Sequence, residues 1–392
     1  MDYIYYKIPN SDCFCGDNFY EEDYIDMVRC FEKVKELNVN VFIIYKNKVY
    51  FRRQNVESCI MNINYYYDAT MYIYLQKDYN SYYIDSEERV KYYTKVLDLS
   101  NNVYVKLNTN RLTLENFINN NPESNPKINW YYQHHYNMLT YLEDKDIAFN
   151  WAPCDMASGL DTPGFASSRP INYPEKTIIL PLQKLYIPNF YSEIFQYDLP
   201  FDKKKKTCIW RGAPSSSLTH PSMKERASRF VLADKYYSNK NYNIGFSYIS
   251  ETLSDNVFNK LGIKDIKNAL KHSISIKEQL EYMFIISVEG GDFATNLSWI
   301  MLSNSVPIMP KPYIETWKCE HKLKEYVHYV PLKNDFSDLD SQMDWCLNNL
   351  DKCKEIAYMS KLYTLQFFDI EKEETIIKKV IETYTNNVLN IN

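Results

Sequence analysis

One stretch limits what this chain can fold into more than any other: an apolar run from Tyr282 to Val288, then Glu289-Gly290-Gly291-Asp292, then a helical pattern from Thr295. The run has strand length, and two adjacent glycines close it as a bend. Glycine is scarce here, eight in 392 residues, so a pair of them predicts a backbone needing positive φ or the close approach of a ligand. From Thr295 onward Leu297, Ile300 and Met301 share one helical face, with Asn296 and Ser298 near the start. A second apolar run, Ser305 to Met309, ends at Pro310 and Pro312. Strand, bend, helix and strand make a βαβ unit, whose bend falls where an open parallel sheet holds its ligand. The N–H groups at that helix start favour an anion.

Composition narrows the function classes. A chain of 392 residues and 46.8 kDa accommodates two domains, each with its own core. A net charge of −5 and a pI near 5.8 argue against a nucleic-acid protein held by phosphate contacts. The nine cysteines are odd in number and form no CxxC pair, which predicts reduced thiols in a cytosol-like compartment. Cys13 and Cys15 are the one close pair, and without a nearby histidine they make a poor zinc site. No basic start with a long apolar segment opens the chain, and no 18-residue apolar run occurs. The expectation is therefore no signal peptide, no membrane span and a cytoplasmic location. Thirty-seven tyrosines, with many asparagines, lysines and isoleucines, fit the coding bias of an AT-rich microbe or a virus and carry no weight as carbohydrate platforms.

Upstream, residues 1–126 read as an α+β region without a catalytic motif. Tyr24, Met27, Val28, Phe31 and Val34 fall at helical spacing, and Val39–Tyr45 and Val49–Phe51 flank Lys46-Asn47-Lys48 as a hairpin. Strands are predicted at Met71–Leu75 and Val103–Leu107, a helix at Glu87–Leu97, and a loop at Asn119–Pro126. Residues 127–202 hold a helical pattern from Ile128 to Leu142, a short strand Asp146–Asn150 that leads to Asp155, and a strand Thr177–Leu182. His134 and His135 point to different helix faces, so a structural role fits them better than a shared metal. The lysines from Lys203 to Lys206 read as a solvated linker, with phosphate or membrane-surface binding as the alternative. Thr207–Trp210 is a buried strand ending in Arg211-Gly212, followed by a Pro/Ser loop and a helix from Ser222 to Tyr237 that carries Arg226 and Arg229. Arginine at a strand end suits a bidentate hold on a diphosphate, and an interdomain ion pair is the alternative. Asp338-Leu339-Asp340 has the spacing of a metal-binding DxD, but it opens a helix with Met343, Trp345 and Leu347, where capping explains it. Helices Lys352–Phe368 and Glu371–Val388 close the chain.

The ordered set Trp210-Arg211-Gly212, Glu289-Gly290, Asp292, Thr295-Asn296-Leu297, Ser303-Asn304-Ser305, Glu315-Thr316-Trp317, Glu320 and His328-Tyr329-Val330 resembles glycosyltransferase family 90, in particular its bacterial lipopolysaccharide-modifying branch, between Ile147 and Phe368. The resemblance implies an α/β fold of two Rossmann-like domains facing a cleft, the GT-B type, with an N-terminal α+β embellishment. Residues 1–126 and 127–202 would form the acceptor side, 207–368 the nucleotide-sugar-binding domain, and 371–392 a C-terminal helix returning to the N-terminal half. The implied reaction is inverting and metal-independent, with no cofactor. It moves a sugar from UDP-glucose or UDP-xylose to a hydroxyl of a glycan, glycolipid or glycoprotein acceptor. Donor contacts fall on Arg211, Gly212, Arg229, Glu289, Gly290, Gly291, Asp292, Thr295, Asn296 and Glu320, the last accepting hydrogen bonds from ribose hydroxyls. The family's catalytic aspartate follows a strand of Phe-Asn character; Phe149-Asn150 matches, and Asp155, a little farther on, is the base with Asp161 as its alternative. A catalytically inactive relative that binds glycans or scaffolds other enzymes is the alternative function.

Overall fold

The computed structural model describes residues 3–14, 16–76, 81–97, 104–105, 150–151, 163–172, 177–181, 194–214, 228–248, 266–387 and 389–390. The expectations for Asp146–Phe149, Asn119–Pro126, His134, His135, Asp155, Asp161 and Arg226 lie outside these residues, as does Cys15.

The described chain is mixed α/β. Its N-terminal sheet is antiparallel, in the order Tyr3–Cys13, Ile63–Gln76, Val41–Tyr45, Lys48–Arg52, Tyr20–Asp23. The predicted hairpin turns at Lys46 and Asn47, both at positive φ (47° and 61°), so its two-residue loop matches the right-handed twist of the strands. One face of the sheet covers helix Met27–Leu37 through Phe42, Phe51 and Tyr72, with Cys30 and Val34 facing them. Asp26 caps that helix by accepting from Arg29 N at 2.8 Å, and Asn38 ends it in the left-handed region. The opposite face, with Ile4, Tyr6, Ile8, Ile43 and Ile73, joins the core of the second sheet.

That second sheet is parallel throughout, in the order Asn243–Phe246, Lys205–Gly212, Tyr282–Ile286, Val306–Pro310, Val330–Leu332. Its strands are buried on both faces, which is why Cys208-Ile209-Trp210 and Met283-Phe284-Ile285-Ile286 read as continuous apolar runs rather than alternating ones. Truncating fully buried Ile285 to alanine removes roughly 2–5 kcal/mol of stability. Tyr282–Ile286, helix Thr295–Ile300 and Val306–Pro310 form the predicted βαβ unit.

Several local expectations are corrected. Gly16 is the one described glycine at positive φ, so the bend at Gly290 and Gly291 does not use the left-handed region. The helix predicted from Ser222 to Tyr237 is not continuous: Ser228 is extended (φ −106°, ψ 128°) and caps a helix Arg229–Tyr236 by accepting from Phe230 N, and the residues from Ser222 to Ala227 lie outside the described ones. The helix after the glycine bend has six residues, too few for a strong dipole. Asp338 precedes helix Leu339–Asn348 without capping it; its Oδ1 accepts from Lys333 N at 3.0 Å instead.

The last long helix, Ile370–Asn387, packs on helix Ser86–Tyr93, where the buried Arg89 guanidinium donates to both Glu373 oxygens at 2.6 Å. A three-stranded parallel sheet, Thr177–Ile179, Gly164–Ala166, Asn150–Trp151, shares the core of these helices through Phe165, Ile178 and Ile179. Strand Ser168–Pro170 pairs antiparallel with Ile314–Thr316 and ties this part to the larger parallel sheet. No helix among the described residues is long and apolar enough to cross a membrane. The seven described cysteines are buried free thiols.

Candidate functional site

The C-terminal ends of Tyr282–Ile286, Val306–Pro310 and Val330–Leu332 border a cleft that is partly open to solvent. Ser287 and Glu289 line it from the first strand end, Lys311 and Tyr313 from the second, and Asn334 from the third. Leu297 and Ser298 of the short helix form another wall, and Lys318, Glu320 and Tyr363 face them.

The glycine bend acts as a hydrogen-bonded frame for this cleft. Glu289 Oε1 accepts from the N–H groups of both Tyr313 and Ile314 at 2.9 Å, locking the first strand end to the loop after the second. Asp292 Oδ1 accepts from Ser168 Oγ at 2.5 Å and from Phe293 N at 2.8 Å, so the bend is tied to strand Ser168–Pro170. Gly290 N donates to Asp292 O at 2.9 Å, and Gly291 follows within the same tight bend. Asn296 accepts from Ser287 Oγ at 3.0 Å and donates to Ile286 O at 3.1 Å, stapling helix to strand. Thr295 is exposed.

Opposite lies a turn that continues strand Ile314–Thr316. Cys319 sits in the left-handed region at φ 54°, a conformation that costs a non-glycine residue about 1–2 kcal/mol and is kept where surrounding structure over-determines it. Here Tyr363 OH donates to the carbonyls of Lys318 (2.7 Å) and Cys319 (2.9 Å). Glu320 Oε2 accepts from Thr316 N at 2.6 Å and Oε1 from Thr316 Oγ1 at 2.7 Å. Burial pushes the Glu320 carboxyl up to about 7, against the hydrogen bonds from Thr316 and the charge of Lys318. Burial likewise pushes the Lys318 ammonium down to about 8, against the pull of Glu320. An acid and a cation that both titrate near neutrality therefore share one cleft wall.

Glu315, on the strand leading into the same turn, has opposite surroundings. Its Oε1 accepts from Arg169 Nε at 2.8 Å, and its Oε2 takes Tyr92 OH and lies 2.9 Å from His321 Nδ1. Burial pushes this carboxyl up, but His321, Arg169 and Tyr92 outweigh it and hold it below the usual range.

Arg211 does not line the cleft. Its guanidinium donates to the carbonyls of His272 (3.2 Å), Trp210 (3.0 Å) and Asn243 (2.9 Å) and to Asn243 Oδ1 (2.7 Å). Gly212 is needed for packing, since a Cβ there would meet the Trp210 ring at 2.8 Å. Arg229 clips two strand ends together, with Nε and Nη2 on Val288 O (3.0 and 2.9 Å) and Nη1 on Ala213 O (3.1 Å). Of the residues expected from sequence, the cleft thus brings Glu289 and Glu320 together, framed by Gly290, Gly291, Asp292 and Asn296. Lys311, Lys318, Tyr313, Asn334 and Tyr363 were not anticipated. A signal existed for Lys311, a cation between Pro310 and Pro312, and for Lys318, two positions before Glu320; Tyr363, on a helix remote in sequence, offered none.

No group of three or more metal-ligating side chains is assembled among the described residues. Asp340 Oδ1 accepts from Tyr242 OH at 2.7 Å, and Asp338 holds Lys333 N.

Comparison with known proteins adds the following. The profile of glycosyl transferase family 90 matches residues 193–389. An O-glucosyltransferase, LpsA, of Dichelobacter nodosus is 32% identical over 230 residues, which is 59% of this chain and 64% of that protein. An uncharacterized protein of Invertebrate iridescent virus 6 is 29% identical over 229 residues, 53% of this chain and 19% of that one. The crystal structure of Anabaena HepE in complex with UDP-glucose aligns with a TM-score of 0.28 at 14% identity, covering 46% of this chain and 48% of that one. The chain spans less than two-thirds of the length of each of these proteins.

Proposed function

The chain belongs to glycosyltransferase family 90, and from that premise we propose that it transfers a sugar from a UDP-linked donor to a hydroxyl of a glycan, glycolipid or glycoprotein, with inversion, without a metal and on a GT-B architecture. Glucose is the first choice of sugar, supported by the O-glucosyltransferase among its relatives, and xylose the second. The observation that carries this reading is Glu320, a buried carboxylate in a cleft at the C-terminal ends of a parallel sheet, where open α/β sheets take nucleotides. Each of its oxygens accepts one hydrogen bond from Thr316 and has lone-pair capacity left, which suits the two hydroxyls of a ribose.

Glycosyl transfer also needs an acceptor hydroxyl deprotonated on the face opposite the departing diphosphate. We assign that to Asp155, with Asp161 as the alternative; Asp155 follows strand Asn150–Trp151 in sequence, on the acceptor side in this reading. The test is release of UDP from UDP-glucose and UDP-xylose in the presence of EDTA. Turnover should survive the chelator and fall by roughly 10²–10⁴-fold in either Asp155→Asn or Asp161→Asn. A protein that binds UDP but releases none from any nucleotide sugar would be an inactive relative.

A further inference from the structure

We propose that Lys318 is the side chain that neutralises the donor's diphosphate, the part that sequence alone gives to Arg211. The proposal rests on the nucleotide-sugar reading of the cleft. Among the described residues, two cationic side chains line that cleft, Lys311 and Lys318. Lys311 is exposed on the rim, where solvent and salt screen a charge, while Lys318 is half-buried and closer to Glu320 in the chain.

The geometry of the turn places Lys318 and Glu320 on the wall of one cleft. Lys318 N donates to Thr316 Oγ1 at 3.3 Å, the hydroxyl that itself donates to Glu320 Oε1, and Lys318 O accepts from Tyr363 OH. The left-handed Cys319 between them reverses the chain, so two residues separated by one position both line the cleft. A nucleotide offers a diol that wants an acceptor and a diphosphate that wants a cation. One rigid turn supplies both.

Three described arginines are committed elsewhere: Arg211 to His272, Trp210 and Asn243; Arg229 to Val288 and Ala213; Arg169 to Glu315. No described acidic oxygen lies within ion-pair distance of the Lys318 ammonium, because the Glu320 carboxylate that acts on it through space is held by Thr316. Burial of that ammonium, which pushes it down to about 8, is therefore a penalty that a bound phosphate would offset.

Calorimetric titration of UDP and of uridine separates the roles. Lys318→Met should bind UDP about 10–100-fold more weakly with uridine affinity unchanged, and Lys318→Arg should recover part of the UDP affinity. Lys311→Met should lose less than Lys318→Met. Equal weakening of UDP and uridine, or no weakening of UDP, in both Lys318 variants would overturn the proposal while leaving the nucleotide site in place. Wild-type protein that binds neither ligand would overturn the nucleotide reading itself, and the proposal with it.

Discussion

Glu315 and Glu320 leave one strand and turn five positions apart, and both are buried, at 0% and 7% exposure, yet one region uses its acid for assembly and the other leaves it available. Around Glu315, Arg169, His321 and Tyr92 satisfy the carboxylate, and Arg169 also donates to the carbonyls of Tyr92, Tyr93 and Thr177. That seam joins helix Ser86–Tyr93, strand Ser168–Pro170 and the strand entering the cleft. Arg89 and Glu373 repeat the pattern one layer away, with Trp317 Nε1 also donating to Glu373. Around Glu320 the described polar groups are the N–H and hydroxyl of Thr316, its own backbone N–H and a lysine beyond ion-pair distance. Buried charges that hold a fold together are paired within it; buried charges that face a cleft without a full set of partners mark where a ligand supplies the rest.

The contrast breaks most visibly at Arg169. Arg169→Ala leaves the Glu315 charge buried with its guanidinium partner gone, and unfolding in urea should show a loss of about 3–5 kcal/mol. A loss under about 1 kcal/mol would mean that the seam is not what joins these elements.

Glu320→Gln should act the other way. Glutamine keeps an acceptor for Thr316 N, so the fold survives, but UDP should bind roughly 10-fold or more weakly because the charged acceptor for the ribose is gone. The pH dependence of stability sharpens this further. Glu320 is raised in the folded protein from 4.5 to about 7, so the folded state holds its proton more tightly and the stability from this group is lost as pH rises through that interval. Glu315 is lowered, so its contribution is present above the unfolded value near 4.5 and lost as pH falls through the folded one. Thermal melts of nucleotide-free protein from below pH 4.5 to above pH 7 should therefore show Glu320→Gln diverging from wild type between 4.5 and 7 and Glu315→Gln diverging in the opposite sense below 4.5. Parallel curves would show that the two acids are equivalent.

The smallest effect is expected at Asp340. With its carboxylate on Tyr242, Asp340→Asn should change stability by no more than about 1 kcal/mol and leave the response to EDTA unaltered. A large loss of turnover restored by manganese would revive the DxD as a metal site.

What sequence made legible follows from how local each signal is. The βαβ unit and the Lys46-Asn47 hairpin were readable because apolar runs and a short turn determine them within a few residues. The break at Ser228 was less so: the helical pattern runs on through it in sequence, and the interruption coincides with Arg229, clipped to Val288 and Ala213. The glycine bend was located but its backbone state was not, since small size and positive φ are separate reasons for glycine. Arg211 and Lys318 show the limit most clearly. Arginine at a strand end suits a diphosphate and a set of carbonyls equally well, and which it meets depends on Asn243 and His272, far along the chain. Glu320 was expected in this cleft because it stands in an ordered motif; Lys318 was not, because its place there depends on Tyr363 and the turn at Cys319.

Amide hydrogen exchange with and without UDP tests most directly where the nucleotide sits. Protection on adding UDP should concentrate at 287–298, 309–320 and around Asn334, the segments that border the cleft, with Thr316 to Glu320 slowed most. Protection centred instead on 205–214 and 243–247, around Arg211 and its carbonyl partners, with the Glu320 turn unchanged, would contradict the assignment of the cleft as the donor site.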